Sequence, residues 1–258
     1  MGFNTGIGTR TTVVTGASSL KGIGFHTAAR FAREGWAVAM IDLNAEGLER
    51  AAAGVREQVP NAHVATFVLD VTNPDGVRAV AEAVAASDLP PVGALCNIAG
   101  IPSPASFLEL SLKEWELVMA VNLTGPFLLS QAFVPQMIEG GYGRVVNMSS
   151  VTAQHGGGVF SKTSYAAAKA GVLGLTRGMA RELAEHGITV NAVAPGVVDT
   201  DIRVGSDDDT ERALAAAVPL RRQARPEEIA ALFVWLSCED SAYITGITHS
   251  INGGSYVA

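Results

Sequence analysis

The chain alternates strand-like and helix-like stretches from end to end, and this alternation most strongly limits the folds open to it. Short apolar, β-branched runs are separated by longer stretches of helical character, without a long linker or an internal repeat. The pattern predicts an α/β protein with one doubly wound parallel sheet and helices on both faces. The seven strands are expected near residues 11–15, 36–41, 62–69, 92–96, 143–148, 187–193 and 246–250.

Residues suited to ligand binding stand directly after these strands. Because the carboxyl ends of parallel strands meet at one edge of a sheet, such residues are expected to line a single site there. The length of 258 residues suits one α/β domain, so we expect one domain over 1–258 with a flexible tail at 1–10. The residues in question are Gly16, Asp42, Asp70, Asn97, Ser150 and Pro195.

The first strand leads into a glycine-rich turn, which a helical pattern follows from Phe25 to Glu34. Glycines let the backbone approach a pyrophosphate closely, and the N–H groups that begin a helix attract its negative charge. Strand, turn and helix therefore predict a Rossmann-type dinucleotide site. The contacts expected from this turn are Gly16, Ser19, Lys21, Gly22 and Ile23.

The second strand ends in Asp42, about twenty positions beyond the glycine turn, where the ribose hydroxyls of a dinucleotide would lie. A carboxylate there accepts hydrogen bonds from both hydroxyls and repels the 2′-phosphate of NADP. Lys21 argues the other way, because a basic side chain beside Gly22 helps to hold an extra phosphate. Asp42 acts directly at the ribose, so we expect NAD as the cofactor and NADP as the less favoured alternative.

Tyr165 and Lys169 stand four residues apart in a stretch rich in good helix formers, and this spacing puts a phenol and an ammonium on one helical face. A phenol has an unperturbed pKa near 10, and an adjacent cation favours the phenolate. We therefore expect Lys169 to lower the pKa of Tyr165 and the pair to transfer protons. Taken alone, the spacing more often means a packed ring and a solvated amine.

Together these motifs resemble those of the short-chain dehydrogenase/reductase family over essentially the whole chain. The resemblance rests also on Asn97-Ile98-Ala99-Gly100, Val121-Asn122-Leu123-Thr124-Gly125, Asn147-Met148-Ser149-Ser150 and Pro195-Gly196-Val197-Val198-Asp199-Thr200. It implies an NAD(P)-dependent oxidoreductase that acts on CH–OH groups. The implied catalytic residues are Asn122, Ser150, Tyr165 and Lys169. The implied cofactor contacts beyond the glycine turn are Asp42, Leu43, Asp70, Val71, Asn97, Ala99, Gly100, Tyr165, Lys169, Pro195, Gly196, Val198 and Thr200.

The sequence departs from the family pattern in two loops. Leu20 and Lys21 form a two-residue insertion in the pyrophosphate turn, so Gly16 and Ile23 are firmer cofactor contacts than Ser18 or Ser19. The segment between Ser150 and Tyr165 is about two residues longer than is typical of the family, and we expect it to form part of the substrate wall. Ser149 competes with Ser150 for the catalytic role, and the second serine of such a pair is the usual one.

The family resemblance also implies a mechanism. Tyr165 as phenolate takes the hydroxyl proton while hydride passes to the nicotinamide, Ser150 hydrogen-bonds the reacting oxygen, and Lys169 binds the ribose. A water beside Asn122 carries the proton outward through Lys169.

The expected substrate is a small polyol or sugar, because the wall from His155 to Phe160 resembles that of members acting on such compounds. It would contact Ser150, His155, Phe160 and Tyr165. One alternative is an NADPH-dependent 3-oxoacyl thioester (ketoacyl) reductase. A more remote one is a nucleotide-sensing module without turnover.

Composition limits the partners. A formal net charge of −7 without a Lys/Arg cluster argues against nucleic acid. No secretory signal or charge-free apolar run of about twenty residues is present, so we expect a cytoplasmic protein without a membrane partner. Helices near 111–138 and 163–186 imply, by family resemblance, a four-helix interface and a homotetramer.

Three further features concern metals, thiols and a flap. The five histidines are too scattered to suggest a metal site, and none is expected. Cys96 and Cys238 lie in apolar contexts and are expected to be buried and unpaired. The polar run at 200–218 is expected to be a mobile flap over the cofactor, and its three aspartates at 207–209 to be a solvated loop or a helix start.

Overall fold

The computed structural model describes residues 10–158, 160–202 and 207–257, and within them all seven predicted strands are confirmed, each end within two residues of its expected place. The strands are β1 Thr11–Thr15, β2 Ala37–Asp42, β3 Val64–Val68, β4 Val92–Asn97, β5 Gly143–Met148, β6 Ile188–Pro195 and β7 Thr248–Ile251. They pair in parallel in the order β3-β2-β1-β4-β5-β6-β7. The expected doubly wound sheet is therefore confirmed, and its order reverses between β1 and β4, where such sheets bind ligands.

Helices cover both faces of the sheet. They are α1 Ile23–Arg33, α2 Ala45–Gln58, α3 Pro74–Ala86, α4 Leu112–Met119, α5 Gly125–Glu139, α6 Thr152–His155, α7 Thr163–Leu183, α8 Asp208–Ala217 and α9 Pro226–Leu236. One core lies under α1, α2 and α9, with Phe25, Leu48 and Phe233 buried in it. The other lies under α3, α5 and α7, with Phe133 and Ala180 buried in it. Because both faces are covered, β1, β4, β5 and β6 are buried along their whole length.

A π-helical turn at Ala120–Thr124 joins α4 to α5 and buries Asn122 completely. The combined helix Leu112–Glu139 is long and apolar enough to cross a membrane by length and composition alone, and buried helices of globular proteins pass the same test. Here α5 packs against α3 and β4. Single π turns often mark functional positions, because the extra residue redirects the side chains of that turn.

The three aspartates at 207–209 begin a helix. The Asp207 carboxylate accepts from the Thr210 N–H at 2.7 Å and caps α8, which starts at Asp208. No cluster of metal-binding side chains occurs among the residues that the structure describes. Cys96 and Cys238 are buried and unpaired, as expected. The predicted tail lies, except for Arg10, outside the described residues, as does the middle of the predicted flap at 203–206.

Candidate active site

Four of the six residues that follow the strands, Gly16, Asp42, Ser150 and Pro195, meet around one cavity of about 610 Å³ at the carboxyl edge of the sheet. It lies at the reversal of strand order, between the turns after β1 and β4. Most of the predicted site residues line it: Gly16, Ser19, Gly22, Ile23, Asp42, Ala99, Gly100, Ser150, His155, Phe160, Tyr165, Lys169, Pro195, Gly196, Val198 and Thr200. One edge of the sheet thus gathers side chains from distant parts of the chain into one site.

The glycine turn is shaped to hold a pyrophosphate. Gly16 has φ +70°, which favours glycine, and a Cβ at Gly24 would lie 2.2 Å from the Gly16 carbonyl oxygen. Among the described residues no side chain caps the start of α1, so its first N–H groups are free for an anion at the cavity. The turn therefore fits the dinucleotide that the sequence predicts. The Ser19 hydroxyl donates to the Asp201 carboxylate at 2.6 Å and ties this turn to the flap.

Asp42 is held in place by backbone donors at the end of β2. The Ser18 N–H donates to Oδ2 at 3.1 Å and the Asn44 N–H donates to Oδ1 at 3.0 Å. The carboxylate lines the cavity next to the glycine turn. Its position is therefore fixed before a ligand arrives, as a ribose-binding carboxylate requires.

Ser150, Tyr165 and Lys169, three of the predicted catalytic residues, lie together on the cavity wall. The Ser150 hydroxyl hydrogen-bonds Tyr165, and Lys169 Nζ lies 5.6 Å from the centre of the Tyr165 ring. Lys169 Nζ also donates to the Met148 carbonyl at 2.8 Å. The competing Ser149 is buried, and its hydroxyl donates to the Lys169 carbonyl at 2.9 Å. The geometry therefore favours Ser150 over Ser149.

Asn122 lies near Lys169, and its side-chain oxygen has no hydrogen-bond partner in the part of the chain that the structure describes. Its amide nitrogen donates to the carbonyls of Ile101 and Val118, both at 3.0 Å. Its Oδ1 is buried without a partner among the described residues. A Cβ at Gly100 would lie 2.6 Å from this Oδ1 and 3.3 Å from Lys169 Nζ. Both groups therefore border the space left by the missing side chain of Gly100.

The protonation of the pair differs from the sequence-based expectation. Burial raises the pKa of Tyr165 to about 12, and the Ser150 hydrogen bond offsets only part of this. Burial also lowers the pKa of Lys169 to about 7. The expected lowering of the Tyr165 pKa by Lys169 is therefore wrong for the protein without ligand. The physical reason is desolvation, which disfavours both charged forms where no counter-charge is near.

The buried amine should lower the stability of the protein. The difference between the ordinary pKa of 10.5 and about 7 corresponds to roughly 5 kcal/mol at neutral pH. The unfolded chain protonates this lysine more readily than the native state does. The loss of stability is therefore complete below pH 7 and disappears as the pH rises to 10.5. We expect Lys169→Met to raise the free energy of unfolding at pH 7 by about 2–4 kcal/mol, since its bond to Met148 is lost as well.

Denaturant unfolding of both proteins from pH 6 to 10.5 measures this difference, which must shrink with rising pH. Lys113→Met is the matched control, because Lys113 is exposed on α4. Its difference from the unchanged protein should stay flat with pH. A Lys169→Met variant that is less stable than the unchanged protein at pH 7 would contradict the prediction.

Six predicted site residues do not line the cavity: Lys21, Leu43, Asp70, Val71, Asn97 and Asn122. Lys21 in the glycine turn and Leu43 after Asp42 are exposed, whereas Asn122 is fully buried. Asp70 accepts hydrogen bonds from Thr72. Asn97 is buried, and its amide donates to Asn147 Oδ1 at 2.8 Å, so its side chain ties β4 to β5.

The cavity also has lining residues that the sequence did not single out. On the flap side, defined here as Ile202, Leu214, Ala217 and Val218, four of them are apolar, while Asp201 of the same segment lines the cavity with a carboxylate that accepts from Ser19. The prediction of a flap at 200–218 was the only signal for them. His155 lines the cavity but is exposed, and its Nδ1 accepts from Gly157 N–H at 3.4 Å.

Comparisons with known proteins agree with this geometry. A family model described as enoyl-(acyl carrier protein) reductase matches residues 16–256. A short-chain type dehydrogenase/reductase of Sinorhizobium fredii is 39% identical over 249 residues, which are 96% of this chain and 98% of that protein. An acetoacetyl-CoA reductase of Allochromatium vinosum is 36% identical over 252 residues, 96% of this chain and 99% of the relative. A (3R)-3-hydroxyacyl-CoA dehydrogenase of Mus musculus is 36% identical over 251 residues, 95% of each chain.

Proposed function

Because the chain belongs to the short-chain dehydrogenase/reductase family, whose members are NAD(P)-dependent oxidoreductases of hydroxyl and keto groups, we propose that it interconverts 3-hydroxyacyl and 3-oxoacyl thioesters. The observation that carries the proposal is the apolar flap side of the cavity, which suits an acyl chain. Two relatives whose names specify acyl-CoA substrates support it. The proposal replaces the polyol expected from the sequence, because His155 is exposed and its Nδ1 already accepts from the backbone.

We propose NAD as the cofactor. The Asp42 carboxylate, held by two backbone N–H groups, supports this choice because it would repel a 2′-phosphate. Gly16, Gly22 and the first turn of α1 would hold the pyrophosphate. The bound nicotinamide would accept or supply the hydride.

The remaining steps belong to the side chains of the site. Ser150 donates a hydrogen bond to the reacting oxygen, and Tyr165 Oη exchanges a proton with it. When Lys169 is protonated, its ammonium stabilises the phenolate of Tyr165. Burial lowers the pKa of Lys169 and so reduces its protonated fraction at neutral pH. The free Asn122 Oδ1 and Lys169 Nζ border a common space, so a water there would pass the proton onward.

The test measures turnover through the change in nicotinamide absorbance. We would assay NADH and NADPH with acetoacetyl-CoA, and NAD and NADP with (3R)-3-hydroxybutyryl-CoA, alongside polyols and sugars. We expect turnover of the thioesters with a preference for NAD(H). Turnover of a polyol with silence on both thioesters would overturn the proposal in favour of the first expectation. Silence on all substrates would favour a nucleotide-sensing module.

A homotetramer and a cytoplasmic location are also proposals. Large apolar side chains stand exposed on or near the helix α4 to α5, among them Phe107, Leu108, Leu112, Leu117 and Phe127. An apolar surface of this kind suits a contact with other copies of the chain. Light scattering in solution should give four times the mass of 26.7 kDa. A monomer mass would refute the assembly.

A further inference from the structure

A chain of three polar side chains lies beside the cavity and outside the groups discussed so far. The Ser164 hydroxyl donates to the Ser103 hydroxyl at 2.8 Å, and Ser103 donates to Glu114 Oε1 at 2.8 Å. Ser103 is fully buried and Ser164 is 1% exposed. Buried hydroxyls must find their partners within the protein, so these bonds are not exchanged for water.

These hydrogen-bonded side chains connect two segments that border the cavity. Ser103 belongs to the loop between β4 and α4 and follows Pro102, which lines the cavity. Ser164 lies in the first turn of α7, directly before Tyr165. A backbone bond joins the same segments, because Lys162 N–H donates to the Ser103 carbonyl at 2.9 Å. The side-chain bonds therefore lie where the substrate wall meets the helix that carries the proposed proton donor.

Glu114 supplies the final acceptor from α4. It stands three residues after the helix cap Ser111, and this spacing is that of a capping box, in which the glutamate turns back to the cap's N–H. In α9 Glu228 does so, accepting from the Arg225 N–H at 2.8 Å. Glu114 Oε1 accepts from Ser103 instead. The carboxylate thus serves the loop rather than the start of its own helix.

We propose that Glu114 is a positioning residue for the reaction, which acts through Ser103 and Ser164 to fix the loop between β4 and α4 relative to Tyr165. The inference rests on the proposed function in so far as it supposes a substrate bound against Tyr165. Without the carboxylate, the fully buried Ser103 hydroxyl loses its acceptor, and the energetic penalty of an unpaired buried donor favours a shift of its segment. The loop and the first turn of α7 would then separate.

The experiment compares Glu114→Leu, Glu114→Gln and the control Glu116→Leu, which alters an exposed residue of the same helix. For Glu114→Leu we expect kcat/KM for acetoacetyl-CoA to fall about 10- to 100-fold, because a displacement of about 1 Å near the chemistry has effects of this size. The affinity for NADH, measured by its fluorescence, should not change. Glu114→Gln keeps an oxygen that accepts from Ser103, so it should restore most of the activity, and Glu116→Leu should behave as the unchanged protein.

Hydrogen–deuterium exchange gives a readout that does not need turnover. Residues 100–111 and 160–165 should exchange faster in Glu114→Leu but not in Glu114→Gln. Ser103→Ala, which removes the middle hydroxyl, should reproduce the pattern of the leucine variant and serves if that variant does not fold. Equal exchange in all variants, or a glutamine variant as impaired as the leucine variant, would overturn the inference. Absence of thioester turnover in the unchanged protein overturns the proposed function, and exchange alone then decides the role of Glu114.

Discussion

Tyr165→Phe is expected to lower kcat for the thioester about 10²- to 10⁴-fold, the range that a positioned proton donor contributes. Phenylalanine keeps the half-buried ring beside Lys169 but lacks the oxygen that would exchange a proton with the substrate. The hydrogen bond to Ser150 disappears with it. Steady-state kinetics measure kcat, and NADH fluorescence measures cofactor affinity, which should stay near that of the unchanged protein.

Tyr142→Phe is the matched control for this experiment. Burial raises the pKa of Tyr142 to about 12, as it does for Tyr165, and the Tyr142 hydroxyl donates to the Ser237 carbonyl at 2.8 Å away from the cavity. Its loss should cost about 1 kcal/mol of stability and leave kcat unchanged. A Tyr165→Phe enzyme that keeps its full turnover would exclude Tyr165 as the proton donor.

Asp42→Ser is expected to raise the preference for NADP over NAD about 10²- to 10³-fold, expressed as the ratio of kcat/KM values. A carboxylate next to a 2′-phosphate costs several kcal/mol, and each 1.4 kcal/mol is a factor of ten. Serine removes the charge and shortens the side chain at this part of the cavity. It also loses at least one of the two acceptors that hold Ser18 and Asn44 N–H, so kcat/KM with NAD should fall.

Asp70→Asn provides the comparison for the cofactor experiment. Asp70 also follows a strand, but it does not line the cavity and it accepts from Thr72. Its removal should leave the ratio of NADP to NAD unchanged. A preference that moves equally in both variants would show that the change is general and not due to the carboxylate at position 42.

Much of the fold and the cavity could be predicted, because both depend on local patterns. Strand ends are visible in the sequence, and a parallel sheet brings the residues after them to one edge. Asp42 and Ser150 therefore lie on the cavity where they were expected. Asp70 was expected at the same edge because it also follows a strand, and the family resemblance implied its cofactor contact, but the cavity does not reach its side chain.

Other properties depend on the folded surroundings. The pKa of Lys169 is set by burial, with no anionic partner among the described residues, and the spacing to Tyr165 does not reveal this. The apolar character of the flap side depends on which face of α8 turns toward the cavity, where Leu214 and Ala217 lie. No local pattern marks Glu114 as the partner of Ser103, because the two residues belong to different segments. Such contacts join distant parts of the chain, and no local motif shows which distant segments will meet.

The pairing of β1 with β4 has a consequence for how the protein is made. Val14 lies opposite Cys96, and the Thr15 hydroxyl accepts from Ile98 and Ala99 N–H at 3.0 and 3.1 Å. These contacts close a loop of some eighty residues, and parallel pairing at such separation forms slowly. During synthesis the glycine turn emerges long before its counterpart after β4. A nascent chain therefore offers no complete dinucleotide pocket, and cofactor can stabilise the protein only once the sheet has assembled.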